Sequence, residues 1–573
     1  MAIRLPDREH DDDHWTVSLR SSLIVHWLLS SALLLCLIPI IGFENVWSAD
    51  VGAQLAQSQQ LADGGGWFFS NPFPEADLSG DWFTYHLSGR VDNRYVVLAK
   101  HPAFTWIVAG LLKVGGYHMV MAFSVFSTST AAFGVGVLVR KLASHRTAAA
   151  ALWLVATLSP LAFDGFLGYA HSFAAALGIW SMVSAVAFIQ SGSLAHAGLP
   201  IGCALATAGP FVRSEAILLG VALGLALLAT SGRWWTVSQR RFSYLAGALT
   251  VLSTGVGFVI DDVMTVKADR YIGDVAEPVG WLPGRFQGFG STWLYATASG
   301  WRSQDLLLVA VPVCWFLAGR AFGRPGPSAE RLLFAGAALV AVWWVLDPQH
   351  IVPGLLLAFP LLVLLVGLAR TETIDDPIAA LGLAAFVLFA GAVILTQYSQ
   401  GGTSEWGGRY FAAGIPLAIT GFSPALARLA DEPRPRLLRR ALPTAVASLL
   451  LISTGLGGLR QSKQLVGQLG SSVETLAASN RSDSQHKSLV VVSTSNAVSR
   501  LLWQQTALDP WLLVPPDELD QAMGQLDQAG VERVIVIAER HQQTNRAIGS
   551  YVDVEVVEPW STSPVEILAF HAE

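Results

Sequence analysis

Charge is the scarcest commodity in this chain of 573 residues. Asp, Glu, Lys and Arg together make up 14% of it, against about 25% in a soluble domain. Hydrophobic residues supply 52%, and the mean hydropathy is +0.48. Such a composition excludes a surface that faces water throughout. Positive charge is not in excess either: 36 Lys and Arg stand against 42 Asp and Glu, a net charge of −6. That excludes the basic footprint of a nucleic-acid-binding protein. Cysteine is almost absent. Cys36, Cys203 and Cys314 each lie in an apolar run, which excludes a disulfide framework and a cysteine metal site. No HExxH, Walker loop, GxSxG or CxxC pattern occurs.

What fills the chain instead is long apolar runs. A helix needs about 20 apolar residues to cross the hydrocarbon core. Runs at 21–43, 117–140, 147–163, 172–190, 197–210, 215–230, 242–261, 305–321, 332–346, 351–369, 378–397, 410–427 and 441–458 approach or meet that length. The first follows an acidic stretch, MAIRLPDREHDDDHW, and precedes no small-residue cleavage signal, so it is expected to stay as the first membrane helix. Arginine and lysine concentrate in alternate short connections, around Arg140–Arg146, Arg233–Arg241, Arg320–Arg331 and Arg428–Arg440. By the positive-inside rule these connections are cytoplasmic. An odd number of spans then puts the C-terminus outside.

These patterns predict an α-helical polytopic membrane protein of about 13 transmembrane helices with a small C-terminal extracytoplasmic α/β domain. Residues 1–20 form a cytoplasmic tail, 21–458 the membrane domain, and 459–573 the outer domain. The α/β prediction rests on strand-like runs at 488–494, 511–514, 531–538 and 551–558 that alternate with helical segments. The expected location is the plasma membrane, multi-pass, with a cytoplasmic N-terminus.

Two outer loops are long, 44–100 and 262–304. Within 44–116 two short helices are expected. One is ADVGAQLAQSQQLA (49–62), stopped by Gly64-Gly65-Gly66. The other is 101–116, where Phe104, Ile107, Val108, Leu111 and Leu112 repeat at helical spacing. Pro102 opens it and Gly115-Gly116 closes it, and at that length it lies in the outer interface rather than spanning.

The residues able to carry chemistry gather at the outer ends of these runs. Asp50 begins the first short helix, near the membrane–water boundary. It is either a general base for an acceptor hydroxyl or simply a helix cap. Arg409, in SEWGGRYFAAGIP (404–416), can pair bidentately with a phosphate, or can snorkel outward with Trp406 and Tyr410 as aromatic anchors. Arg213 and Glu215 form a local ion pair or a phosphate and acceptor site. Asp164, Tyr169 and His171 share an outer turn, and Asp261-Asp262 ends a span. Trp67, Trp82, Phe83, Tyr85 and His86 of the first loop either stack on sugar rings or pack that loop onto the membrane.

The run SADVGAQLAQSQQL, then GGGW, then AKHPAFTW resembles the first outer loop of the GT-C glycosyltransferases, which use polyprenyl-phosphate sugars. The group includes protein O-mannosyltransferases, the lipid A aminoarabinose transferase and many actinobacterial cell-wall enzymes. The 404–416 segment resembles a W-G-x-R-Y motif of bacterial GT-C-like proteins. The resemblance implies that Asp50 is the catalytic acid residue and that Lys100, His101 and Pro102 form the second motif. It also implies that an acidic residue in the turn holding Asp164 faces the active site. Val51 stands where the family commonly has a second acid, so no cofactor is implied with certainty and a divalent metal stays open. The expected activity is inverting transfer of a sugar from a polyprenyl-phosphate donor to a cell-envelope glycan, lipid or protein. Arg409, Tyr410, Lys100, His101, Arg213, Glu215, Asp164 and His171 are the expected binding residues. A transporter or flippase of lipid-linked saccharides, or a non-catalytic scaffold, is the alternative.

Overall fold

The computed structural model describes residues 15–43, 45–77, 79–85, 89–91, 94–97, 101–265, 269–270, 281–297, 305–322, 327–346, 351–370, 375–396, 406–481, 489–539, 547–548, 551–557 and 565–572. Each of the thirteen apolar runs falls largely on helix, the run 351–369 opening on the short strand Ile351–Pro353. Among the described residues, eight helices are long and apolar enough to cross a membrane, or nine if the bent pair Arg409–Gly421 and Ser423–Ala430 is one span. The other four runs are shorter or broken: His145–Thr157 with Pro160–Gly165, Gly198–Ala208, Asp305–Ala321, and Leu355–Ala358 with Pro360–Leu368. Large apolar side chains such as Leu28, Leu252, Val259, Val345, Leu395 and Leu449 point outward from the bundle. Water would not tolerate so much exposed apolar surface, and lipid does.

The two short helices of the first loop are present. Ala49–Ala62 forms the first. It is buried by protein on most of its faces: Gln54 donates to Thr105 Oγ1 at 2.9 Å, and Gln57 bridges the Trp67 carbonyl at 2.9 Å and the Val97 amide at 3.0 Å. The second runs from Pro102 into the following span as one helix, Pro102–Leu142, broken where Gly115 and Gly116 leave helical geometry. Glycine permits the positive φ of 62° at Gly116. The interfacial piece and the span are thus one kinked element.

The C-terminal unit is a six-stranded mixed sheet. Its strand order is 511–513, 489–493, 533–539, 565–572, 551–557, 547–548. Strand Leu489–Ser493 is parallel to both its neighbours, and the remaining pairings are antiparallel. The strands 547–548 and 565–572 add to those read from the sequence. Alternation along the strands serves two covers, as the pleat requires. Val491, Ile535, Ile537 and Ile567 pack with Leu469, Val473 and Leu476 of helix Arg434–Arg481. Val490, Val492, Val534 and Val536 pack with Ala522, Met523 and Leu526 of helix Leu519–Gln528. The helix Arg434–Arg481 has 48 residues, about 70 Å at 1.5 Å per residue. It runs unbroken from the last membrane run to the sheet.

The first loop is docked on this sheet. Phe83 bridges Leu512 across the edge strand, and the Leu513 amide donates to the Trp82 carbonyl at 3.0 Å. Trp82 is buried in the sheet's core, and its indole N–H donates to Glu518 at 2.8 Å. Thr84 donates to the Trp511 carbonyl at 2.6 Å, and the Tyr85 hydroxyl meets that of Thr506. First loop and C-terminal unit therefore share one end of the bundle. Truncating Trp82 to Ala empties a core site and strands Glu518, at a cost of about 3–5 kcal/mol. Thermal unfolding of detergent-purified protein is expected to show a lowered midpoint and faster proteolysis. An unchanged midpoint overturns this account of the docking.

Candidate functional site

At the shared end, a helix start, a tight turn and the C-terminal unit converge on one carboxylate. Ser48, not Asp50, caps helix Ala49–Ala62: the Ser48 hydroxyl accepts from the Asp50 amide at 3.3 Å. This sets aside the capping alternative and leaves the Asp50 carboxylate for other partners. Arg409 Nη2 lies 3.0 Å from Asp50 Oδ2, and Arg500 Nη1 lies 3.5 Å from Oδ1. The Asp50 side chain is 40% exposed, whereas Arg409 and Arg500 are 8% and 12% exposed. The carboxylate is the open face of a buried cationic pair.

The W-G-G-R sequence explains how Arg409 is presented. Gly407 and Gly408 have φ of 83° and 69°, a region that L side chains rarely adopt. A Cβ on Gly408 would come within 2.5 Å of the Thr292 carbonyl oxygen, and one on Gly407 within 2.4 Å of Pro160. The Gly407 amide donates to the Pro353 carbonyl at 2.7 Å. Two glycines thus let the chain reverse in a crowded corner and aim Arg409 at Asp50.

Arg213 has its own counter-ion. Its Nη2 donates to Glu215 Oε1 at 3.0 Å, and its Nε lies 2.8 Å from Oε2. The local ion pair read from the sequence is therefore present. The guanidinium also covers the Tyr169 ring at 4.4 Å, and Arg409 approaches the same ring at 5.2 Å. Tyr169 thus links the two arginines through its π face. Tyr410 lies by Arg409 at 5.6 Å. His171, 1% exposed, stands edge-on to Tyr169 at 5.1 Å, and neither ring nitrogen has a hydrogen-bond partner among the described residues. Asp164 is buried at the end of helix Pro160–Gly165, which packs on the Arg409 turn.

His101 is committed elsewhere at this end. Its Nδ1 faces the Pro210 carbonyl at 3.0 Å and Asp261 Oδ2 at 3.1 Å, and its Nε2 faces the Ser214 hydroxyl at 3.0 Å. Among described residues it is the one non-glycine residue with positive φ, 55°. These contacts hold that strained position and tie three chain segments together, beside Arg213. Lys100 and His86 lie outside the described residues. Trp82, Phe83 and Tyr85 pack the first loop against the C-terminal unit rather than onto the membrane, with Phe83 also stacked on Tyr95 at 4.1 Å. No group of three or more His, Cys, Asp or Glu is placed to hold a metal ion among the described residues.

Arg500 escaped the sequence reading. It sits on helix Asn496–Leu501, and nothing local distinguishes it from other arginines. The legible clue is Gly52, placed inside a helix where glycine costs about 0.8–1.0 kcal/mol relative to alanine. A Cβ there would come within 1.7 Å of the Arg500 carbonyl oxygen, so Gly52 is what admits Arg500.

Burial by itself pushes the Asp50 carboxyl up. The charge and hydrogen bond of Arg409, with Arg500 and Arg213 behind it, outweigh that and hold it below its ordinary 3.8. Since the folded value lies below the unfolded one, the stabilisation is whole above about pH 4 and is lost as pH falls through the folded value. Arg409→Gln removes the largest opposing charge, so the folded value rises toward the unfolded one and the variant is expected to lose less stability on acidification than the wild type. Unfolding midpoints measured from pH 3 to 6 check this, and coincident profiles for the two proteins contradict it.

Fold and site together define a multi-pass helical membrane protein with a carboxylate–arginine site where its bundle meets a soluble unit. No family model and no curated protein matches the chain. Solved structures similar to it include the archaeal oligosaccharyltransferase AglB from Archaeoglobus fulgidus, in complex with an inhibitory peptide and a dolichol-phosphate. It is 11% identical with a TM-score of 0.45, over 91% of this chain and 69% of that one. ArnT from Cupriavidus metallidurans, bound to undecaprenyl phosphate, is 12% identical with a TM-score of 0.43, over 97% and 98%. Both are membrane glycosyltransferases of the GT-C superfamily. With TM-scores below 0.5 these are loose likenesses.

Proposed function

We propose that the protein is an inverting glycosyltransferase. It would move a sugar from a polyprenyl-phosphate donor to a cell-envelope glycan, lipid or protein on the outer face of the plasma membrane. The observation that carries this reading is the arrangement of charge around Asp50. Three guanidiniums (Arg213, Arg409, Arg500) gather beside the ionised Asp50, a cationic surface that favours an added anionic group next to the base. A phosphate ester at the end of an apolar bundle suits that surface.

In this reading the Asp50 carboxylate takes the proton from the acceptor hydroxyl as its oxygen bonds to the anomeric carbon. The bond from that carbon to the phosphate oxygen breaks, and polyprenyl phosphate leaves with the electron pair. A single base with direct displacement inverts the carbon, and a retaining route needs a second, nucleophilic carboxylate. The prenyl chain has an apolar recess available nearby, about 280 Å³, bounded by Trp47, Phe163, Trp406, Gly458, Leu459 and Leu465.

Purified protein would be offered a panel of polyprenyl-phosphate sugars and envelope acceptors. A positioned base contributes about 10²–10⁴-fold, so Asp50→Asn, eluting as folded protein, is expected to lose at least about 100-fold in transfer rate. Transfer at the wild-type rate removes Asp50 as the base. Binding of donors without transfer to any acceptor favours a carrier of lipid-linked saccharides instead.

The recess has its own test. No atom lies within 4 Å of a Cβ added at Gly458, and leucine favours the helix more than glycine does. Gly458→Leu is therefore expected to fold normally and to raise KM for long-chain donors several-fold. An unchanged KM moves the prenyl chain elsewhere.

A further inference from the structure

Of the three guanidiniums at the site, two come from the membrane domain and one does not. Arg213 is neutralised by Glu215 within its own helix start. Arg409 and Arg500 share the Asp50 carboxylate.

The two members of that pair are held differently. Arg409 makes the 3.0 Å contact, near the ordinary range for a charge-assisted hydrogen bond, and Arg500 makes the 3.5 Å one, outside it. The other described bond of Arg500 runs from its Nε to the Asn496 carbonyl, at 3.1 Å. That bond fixes the guanidinium plane and leaves Nη2 with no hydrogen-bond partner among the described residues. Arg500 is thus a nearly buried, pre-oriented cation, loosely held by its carboxylate, with its neighbour Asp50 open to the outside.

We propose that Arg500, delivered by the C-terminal unit, is a binding residue for the donor's phosphate. The inference rests on the polyprenyl-phosphate reading above and makes Arg500, there only one of three nearby cations, a direct ligand of the phosphate. It gives the C-terminal unit a direct role. The phosphate site is complete only when helix Asn496–Leu501 is seated against Gly52 and when Trp82 and its neighbours hold the sheet on the first loop. It also couples binding to chemistry. A phosphate that draws Arg500 from Asp50 removes one cation from the carboxylate and adds an anion near it. Both changes make Asp50 a stronger base as the donor arrives.

The test uses the full chain in detergent, with three probes: undecaprenyl phosphate, undecaprenol and inorganic phosphate. Wild type is expected to bind undecaprenyl phosphate well and inorganic phosphate weakly. Arg500→Gln is expected to weaken undecaprenyl phosphate about tenfold to a hundredfold, the measure of one charged hydrogen bond, and to leave undecaprenol unchanged. Arg500→Lys keeps the charge but loses the fork, so it should fall between the two. It also serves as the readout should the Gln variant unfold. Equal affinity of wild type and both variants for undecaprenyl phosphate overturns the Arg500 assignment and leaves the donor reading standing. Failure of wild type to bind undecaprenyl phosphate overturns both. Equal, Arg500-dependent binding of inorganic phosphate would make this a free-phosphate site and also overturn the lipid donor.

Discussion

The contact on which the rest of the site depends is the sharing of Asp50 between two arginines from different parts of the chain. Arg409 is 359 residues away and Arg500 is 450. Removing a guanidinium from water is expensive unless a counter-charge and hydrogen bonds replace the lost solvation. Both arginines are nearly buried, so neither can be held there cheaply without that carboxylate. The positions of helix Ala49–Ala62, the Arg409 turn and the C-terminal unit are therefore constrained together. The apolar contacts of Trp82 and Phe83 act at longer range to the same end: they seat the sheet so that Arg500 falls within reach of Asp50.

A second constraint is how like charges tolerate one another. Arg213 and Arg409 both approach the Tyr169 ring, which places two cations near each other in a site poor in water. Separate carboxylates, Glu215 and Asp50, make this acceptable, and the ring's negative face attracts both guanidiniums. His171, buried beside the same ring, has no acceptor among described residues to stabilise a proton. The corner is built to keep a carboxylate ionised and to hold cationic surface ready for an anion. An acceptor-activating base beside a phosphate leaving group needs both properties.

Much of this was legible before the fold. Apolar runs located the membrane helices because lipid forces a length on any spanning segment. Ala49–Ala62 was bounded correctly by its glycines, and the break at Gly115-Gly116 was visible. Arg213 and Glu215 sit two residues apart, so their pairing is local and readable. Where the reading stopped, the reason was physical. Four of the thirteen runs are short or broken helices, because hydropathy averages over a window and does not mark where within it a helix stops. Asp50 read equally well as a cap, since a cap and a base use the same residue type at a helix start. Ser48 takes the cap, and only geometry could divide the two roles.

The chain's own pattern determined a helical membrane protein, an α/β unit after it, and a set of polar residues at one end of the helices. Periodicity and hydropathy are local properties, and they carry that much. Tertiary structure alone decided which of those residues meet. The partnership of Asp50 with Arg409 and Arg500 spans hundreds of residues and leaves no local trace. Trp82 went into the sheet's core, because burying it against Leu512 and Val514 removes more apolar surface from water than an exposed arrangement. The C-terminal unit became part of the site because Gly52 lets a backbone carbonyl come where a side chain would stand.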